Sequence, residues 1–157
     1  MSAITALTSA GVPHRVIRHG PVRSVAEAAE AIGVEVPDVV KTIVVRRGAQ
    51  DFVFVLVPGD RVISWPKLRA VLGVNRLALP DADEARSATG YERGTITPFG
   101  SRTAWPVVAD ERIRGRTITL GTGERGTAVA LEADAAVAAL DGRVADVTEP
   151  EPPPLTP

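Results

Sequence analysis

The sequence predicts a mixed α+β domain, and three observations carry that prediction. Runs rich in β-branched and aromatic residues come as close pairs, such as Val39–Arg47 and Phe52–Val57, instead of alternating strictly with helices. Both faces of each run are largely apolar, which places these strands in the middle of a core. A chain of 157 residues, 45% of them hydrophobic, suits one domain that buries its own apolar surface.

The elements follow in order. Residues 1–12 are predicted as a short helix and His14–Arg18 as a weakly alternating strand. Ser24-Val25-Ala26-Glu27 fits a capping box, opening a helix that runs to about Ile32 and stops at Gly33. The hairpin Val39–Arg47/Phe52–Val57 turns near Gly48 and ends at Pro58-Gly59-Asp60. Ser64–Leu72 is a second helix with Pro66 in its first turn, closed by Gly73. Asn75–Leu79 is predicted as a short strand, and Asp81 caps a helix reaching about Ala88. Residues 89–105 form a loop; Pro106–Ala109, Thr117–Leu120 and Thr127–Leu131 are strands. Ala133–Leu140 is the last helix and Val144–Val147 the last strand. The domain is expected to span residues 1–147, and the acidic, proline-rich stretch 148–157 to be an extended, disordered tail.

Composition excludes several functions. The absence of cysteine rules out disulfides, thiol catalysis and cysteine-ligated metals. His14 and His19 lack partners at metal-ligand spacing, so no metal and no cofactor are expected. The first residues carry no basic, apolar leader and no stretch is long enough to span a bilayer, so a cytoplasmic protein without membrane contact is expected. A net charge of −1 argues against a general nucleic-acid binder but leaves room for an enzyme that touches one end of an RNA. Of the 18 basic residues 16 are arginine, a bias of genomic composition; the lysines are Lys41 and Lys67.

Lys41 stands out because in a strand it shares a face with Val39, Ile43 and Val45. An ammonium there is desolvated unless it snorkels to water or waits at a pocket mouth for an anion. The second feature is Thr89-Gly90-Tyr91 followed by Gly94-Thr95-Ile96-Thr97-Pro98-Phe99-Gly100. A loop with a glycine at each end can aim successive amides at an anion or oxyanion, although glycine-proline turns are also common at ordinary surfaces. The third, Gly121-Thr122-Gly123-Glu124-Arg125-Gly126, matches the dinucleotide fingerprint in letters. It precedes a strand instead of a helix, so it reads as a hairpin turn. Arg112, Arg114 and Arg116 would line one face of an extended segment, as phosphate contacts or, more commonly, as a solvated edge.

Taken together and in order, Glu27-Ala28-Ala29, Ile32-Gly33, Val40-Lys41-Thr42-Ile43-Val44-Val45, Thr89-Gly90-Tyr91, the Gly94–Gly100 loop and the Gly121–Gly126 turn resemble the YbaK/EbsC family over residues 10–147. That family includes free-standing proteins and the editing domain of bacterial prolyl-tRNA synthetases. The resemblance implies a compact α+β domain with a mixed, barrel-like sheet and flanking helices. It implies an aminoacyl-tRNA deacylase acting in trans on mischarged tRNA, of the Cys- or Ala-tRNA(Pro) type. Its lysine falls on Lys41 as the catalytic residue, and its substrate-binding positions fall on Gly94, Thr95, Ile96, Thr97, Pro98, Gly100, Gly121 and Thr122. Cysteine-specific members carry serine where Gly121 stands, with Thr122 the neighbouring hydroxyl. The implied partners are the aminoacyl-tRNA acceptor end and an aminoacyl-tRNA synthetase. The alternative reading is a non-catalytic module of the same fold that binds a tRNA end or a protein.

Overall fold

The computed structural model describes residues 2–153. After helix α1 (Ala3–Ser9) and strand β1 (Arg15–Arg18), helix α2 occupies Val25–Ile32. Ser24 caps α2 by accepting from the Glu27 amide at 3.1 Å. Glu27 reaches back to the Arg23 amide, one residue beyond the usual reciprocal partner. Gly33 ends the helix in the left-handed conformation, φ +86°.

Strands β2 (Lys41–Gly48) and β3 (Asp51–Val57) form the antiparallel hairpin that organises the molecule. β4 (Arg61–Ile63), α3 (Trp65–Leu72) and α4 (Ala82–Thr89) follow, α4 capped by Asp81 accepting from the Glu84 amide at 2.8 Å. Then come β5 (Val107–Asp110), the hairpin β6 (Thr117–Gly121) and β7 (Thr127–Glu132), α5 (Ala133–Ala139), β8 (Arg143–Ala145) and β9 (Thr148–Pro150). One mixed sheet has the order β2-β3-β5-β8, with β3, β5 and β8 parallel. A second, antiparallel, has the order β1-β7-β6, and β4 pairs with β9.

β3 is buried on both faces, as its unbroken apolar run requires. Phe52, Phe54 and Leu56 face a core that includes Leu7, Phe99, Ile118, Leu120, Val129, Leu131 and Ala136. Val53, Val55 and Val57 face a second core with Val45, Ile63, Leu68, Val108 and Val147. Each such side chain contributes about 1.5–3 kcal/mol of burial. Trp105 meets Phe52 edge-on at 5.2 Å and donates to the Ala88 carbonyl at 2.9 Å, so it is a packing residue with its polar atom satisfied.

Three expectations need correction. The sheets are open, with β2 and β8 at the two edges of the mixed sheet; they do not close into a barrel. Asn75–Leu79 is not a strand: only Ala78 pairs, exchanging two backbone bonds with Arg46 on the outer edge of β2. The register of β2 shifts just beyond Arg46, and Pro80 has no amide to extend the ladder.

The stretch from residue 148 is not a free tail at its start. Thr148–Pro150 pairs with β4, with Pro150 at the end of an edge strand, where a missing donor is tolerated. The cause is Asp110, whose side chain is fully buried. It accepts from the Thr148 hydroxyl (2.9 Å), the Val147 amide (3.2 Å) and the Arg112 guanidinium (3.1 Å), and a buried carboxylate needs such donors. Arg61 Nε donates to the Thr148 hydroxyl oxygen at 2.7 Å, closing the network. The expected disorder of 154–157 lies outside the described residues.

Candidate active site

Three segments far apart in sequence meet where β2 begins. The Val40 amide donates to the Thr119 carbonyl of β6 at 3.0 Å, and Val39 forms a parallel bridge with Thr119. This isolated bridge sets Val39 and Val40, just before Lys41, beside Thr119, two residues before Gly121. Gly121 in turn lies against the Gly94–Gly100 loop: a Cβ added there would stand 3.2 Å from the Thr95 carbonyl oxygen and 3.4 Å from that of Ile96. The Gly123 amide donates to the same Thr95 carbonyl at 2.9 Å.

The loop has the form that its glycines require. Gly94 and Gly100 adopt φ +91° and +72°, conformations that reverse the chain at each end and that side chains resist. Thr95 is held by its hydroxyl and its amide, both donating to the Glu92 carbonyl. The buried Thr97 hydroxyl accepts from the Phe99 amide at 3.3 Å, and Phe99 anchors the loop in the core. Between these anchors, no protein group among the described residues accepts from the amides of Ile96 and Thr97. Two adjacent donors without an acceptor are what an oxyanion or carboxylate would need.

Tyr91 clips the loop to the turn. Its hydroxyl donates to the Phe99 carbonyl at 2.6 Å, and its ring packs so closely on Gly123 that any Cβ there would overlap it. Burial pushes the phenol's pKa up, so it remains a donor.

Lys41 is half-buried on the face of Ile43 and Val45, as strand alternation predicts. Its ammonium donates to the Arg61 carbonyl at 2.6 Å. Desolvation holds its pKa below the ordinary lysine value, and the carboxylates of Glu151 and Asp60 partly offset that. The residues just before Lys41 thus lie against β6, while its ammonium is turned toward β4 and the segment after β9. Thr42, on the opposite face, buries a hydroxyl that has no partner in the structure, as does Ser101 just after the loop.

The Thr122 hydroxyl accepts from the Glu124 amide at 3.3 Å and points at the Thr127 carbonyl at 3.4 Å. It is used to tie the β6–β7 turn. The glycine fingerprint is therefore a hairpin turn, as its context predicted. The arginine stripe does not form. Arg112 lies in a 3-10 turn, Glu111–Ile113, paired with Asp110 and Asp146. Arg116 pairs with Asp38 at 2.6 Å, and Arg114 is exposed. His14 and His19 each sit within 2.8 Å of a neighbouring backbone carbonyl, as structural histidines do. A surface concavity of about 420 Å3 touches the far side of the loop through Pro98, Trp105 and Leu140, but neither Lys41 nor Gly121 lines it.

Residues 19–138 match the model of the aminoacyl-tRNA editing domain. The chain belongs to this family. The editing domain is 26% identical over 129 residues to "Putative Cys-tRNA(Pro)/Cys-tRNA(Cys) deacylase EbsC" of Enterococcus faecalis, covering 82% of this chain and 79% of that one. It is 37% identical over 93 residues to a proline–tRNA ligase of Thermosipho africanus, covering 59% of this chain but 16% of the ligase. A solved structure described as "a putative trans-editing enzyme for prolyl tRNA synthetase" superposes with a TM-score of 0.85 at 27% identity, over 92% of this chain and 93% of that one. No helix among the described residues is long and apolar enough to cross a membrane.

Sequence reasoning singled out Lys41, the loop and the Gly121 turn as candidates and did not name the groups around the ammonium. Arg61 acts through its carbonyl, which has no side-chain signature. Glu151 lay in a stretch read as disordered. Gly59 carried a signal as a turn residue but not as a contact: a Cβ there would overlap the Val36 and Val39 carbonyls, so this glycine lets the turn before β4 close on the start of β2.

Proposed function

We propose that the editing domain is a trans-acting aminoacyl-tRNA deacylase that hydrolyses the ester of mischarged tRNA, with Cys- and Ala-tRNA(Pro)-type substrates the first candidates. The observation that carries this is the pair of acceptor-free amides, Ile96 and Thr97, on a loop braced by Tyr91 and walled by Gly121, in a chain of the editing family.

The chemistry asks little of the protein, because an aminoacyl ester is already activated. Water adds to the carbonyl carbon and negative charge gathers on the carbonyl oxygen, which the Ile96 and Thr97 amides receive. The ester C–O bond then breaks, and the ribose oxygen leaves as a hydroxyl with the proton that water released. Lys41 has three N–H donors and gives one to Arg61. The other two can hold the terminal phosphate or ribose of the tRNA. Its role is positioning and charge, with no need to act as a base. Selectivity rests on pocket size, a lever of about 1–3 kcal/mol per methylene. A synthetase that presents the charged tRNA fits the mildly acidic chain, and the protein acts in the cytoplasm in this reading.

The reading is tested by incubating the protein with alanyl-, cysteinyl- and seryl-tRNAs and comparing it with Lys41→Ala. Release of at least one amino acid well above the variant's rate is the expected result. If every charged tRNA survives equally with both proteins, the family fold serves here as a binding module, and the deacylase reading falls.

A further inference from the structure

At the other end of β2 from Lys41 lies a shallow groove of about 420 Å3 lined by four arginine residues: Arg46 and Arg47 from β2, Arg69 from α3, and Arg76 beside Asn75. The pairing of these arginines is uneven. Arg46 meets Glu84 at 3.2 Å, and Arg47 meets Asp51 through two bonds of 3.0 and 3.1 Å. Arg69 and Arg76 meet no carboxylate among the described residues. A chain of net charge −1 thus gathers unneutralised positive charge in one shallow surface depression.

The groove is also placed in line with the candidate site. Lys41 and Arg47 are six residues apart on one strand, about 20 Å at the usual strand rise, whereas Arg46 turns to the opposite face and Glu84. α3 packs on the Ile43 and Val45 face of the sheet, the face of Lys41. Lys67 in its first half donates to the Thr148 carbonyl near the Lys41 end, whereas Arg69 in its last turn reaches the groove. A stacked nucleic-acid strand advances about 3.4 Å per phosphate, so about 20 Å corresponds to about six phosphates. A tRNA whose 3′ ester sat beside Lys41 would bring to the groove the phosphates where the unpaired end joins the acceptor stem.

We infer that the Arg46–Arg47–Arg69–Arg76 groove is a binding surface for the phosphate backbone of the tRNA acceptor arm, with Arg69 and Arg76 as its free cations and Arg46 and Arg47 as its paired walls. The inference rests on tRNA being the substrate, but not on turnover. Guanidinium groups suit this task because they hold phosphate oxygens in two-pronged fashion and stay charged at any relevant pH. Contacts of this kind position an RNA without reading its sequence. That division fits a domain whose selectivity lies in an amino-acid pocket.

The test uses the full chain and an uncharged RNA hairpin that reproduces an acceptor stem with its unpaired 3′ end. Binding is followed by fluorescence anisotropy against salt for wild type, Arg69→Gln, Arg76→Gln and the double variant. Arg114→Gln is the matched control, since it removes one exposed arginine outside the groove. Each groove substitution is expected to weaken binding and to lower the slope of log K against log salt by about one, with the double variant about additive. Arg114→Gln should leave the slope unchanged. Thermal unfolding checks that the variants fold, as the partly exposed Arg69 and the exposed Arg76 and Arg114 favour. An unchanged slope in the double variant, or an equal loss in Arg114→Gln, overturns the inference. So does binding of poly-glutamate that needs Arg69 and Arg76 while RNA binding does not, which would assign the groove to an acidic protein. Because the RNA carries no amino acid, lost deacylation with intact, groove-dependent binding would overturn the proposed function alone.

Discussion

Lys41 owes its character to what surrounds its ammonium. The strand face desolvates it, the Arg61 carbonyl accepts from it, and the carboxylates of Glu151 and Asp60 support its charge. Burial lowers the pKa and the two anions raise it, with burial the larger effect. Removing one anion therefore has a definite sign. Glu151→Gln takes away a raising influence, so the Lys41 pKa should fall further below the ordinary lysine value. Nitrogen NMR of Nζ across alkaline pH would follow it, and a midpoint that stays put or rises would show that Glu151 does not sense the ammonium. At Gly121 the determinant is space. A Cβ would press on the Thr95 and Ile96 carbonyls at 3.2 and 3.4 Å, distances that demand a shift of a few tenths of an ångström. Gly121→Ser should therefore narrow the site beside the two acceptor-free amides. The expected outcome is a changed ratio of kcat/KM between alanyl- and cysteinyl-tRNA; a ratio that stays constant would remove Gly121 from the pocket wall.

At the scale of elements, the loop from Gly94 to Gly100 is fixed less by its own residues than by the clip across it. Tyr91 spans from the Gly123 backbone to the Phe99 carbonyl. Tyr91→Phe keeps the ring on Gly123 and deletes only the bond to Phe99. The cost should be about 0.5–1.5 kcal/mol, read as a fall of a few degrees in Tm. If the free amides depend on that brace, the deacylation rate should fall by more than the stability loss explains; a normal rate would show that Thr95 and Thr97 suffice. The loop was legible in sequence because glycine at both ends of a short run reports backbone conformation directly. The hairpin β2–β3 was legible because a two-faced apolar run can only be an interior strand. What was not legible depended on distant partners. Asn75–Leu79 looks like a strand by composition, but only Ala78 finds a free edge. Thr148–Pro150 looks like a tail, and becomes a strand because the buried Asp110 needs donors. The spacing Arg112, Arg114, Arg116 suggested a shared face that the 3-10 turn breaks.

For the whole molecule, the consequence is that the domain does not end at residue 147. β9 seals one flank of the second core, where Ile63, Val108 and Val147 meet, and its Thr148 supplies a hydroxyl that both donates to Asp110 and accepts from Arg61. The segment just after it brings Glu151 toward Lys41, with its amide donating to the Asp60 carbonyl at 3.2 Å. A chain cut after Val147 would lose the hydroxyl donor of a buried carboxylate and the ladder that holds β4. It would also lose one of the two anions that sustain the ammonium. The buried charge of Asp110 weighs most among these losses: leaving a charged group short of a partner costs more than about 1–3 kcal/mol, whereas a true disordered tail would cost nothing. Deletion of residues 148–157 should therefore lower Tm by many degrees, and deletion of 154–157 should not. Chemical denaturation of the two truncations decides the matter. Equal midpoints would restore the boundary at 147, and a large drop confined to the longer deletion would make the C-terminal strand part of the domain that carries the site.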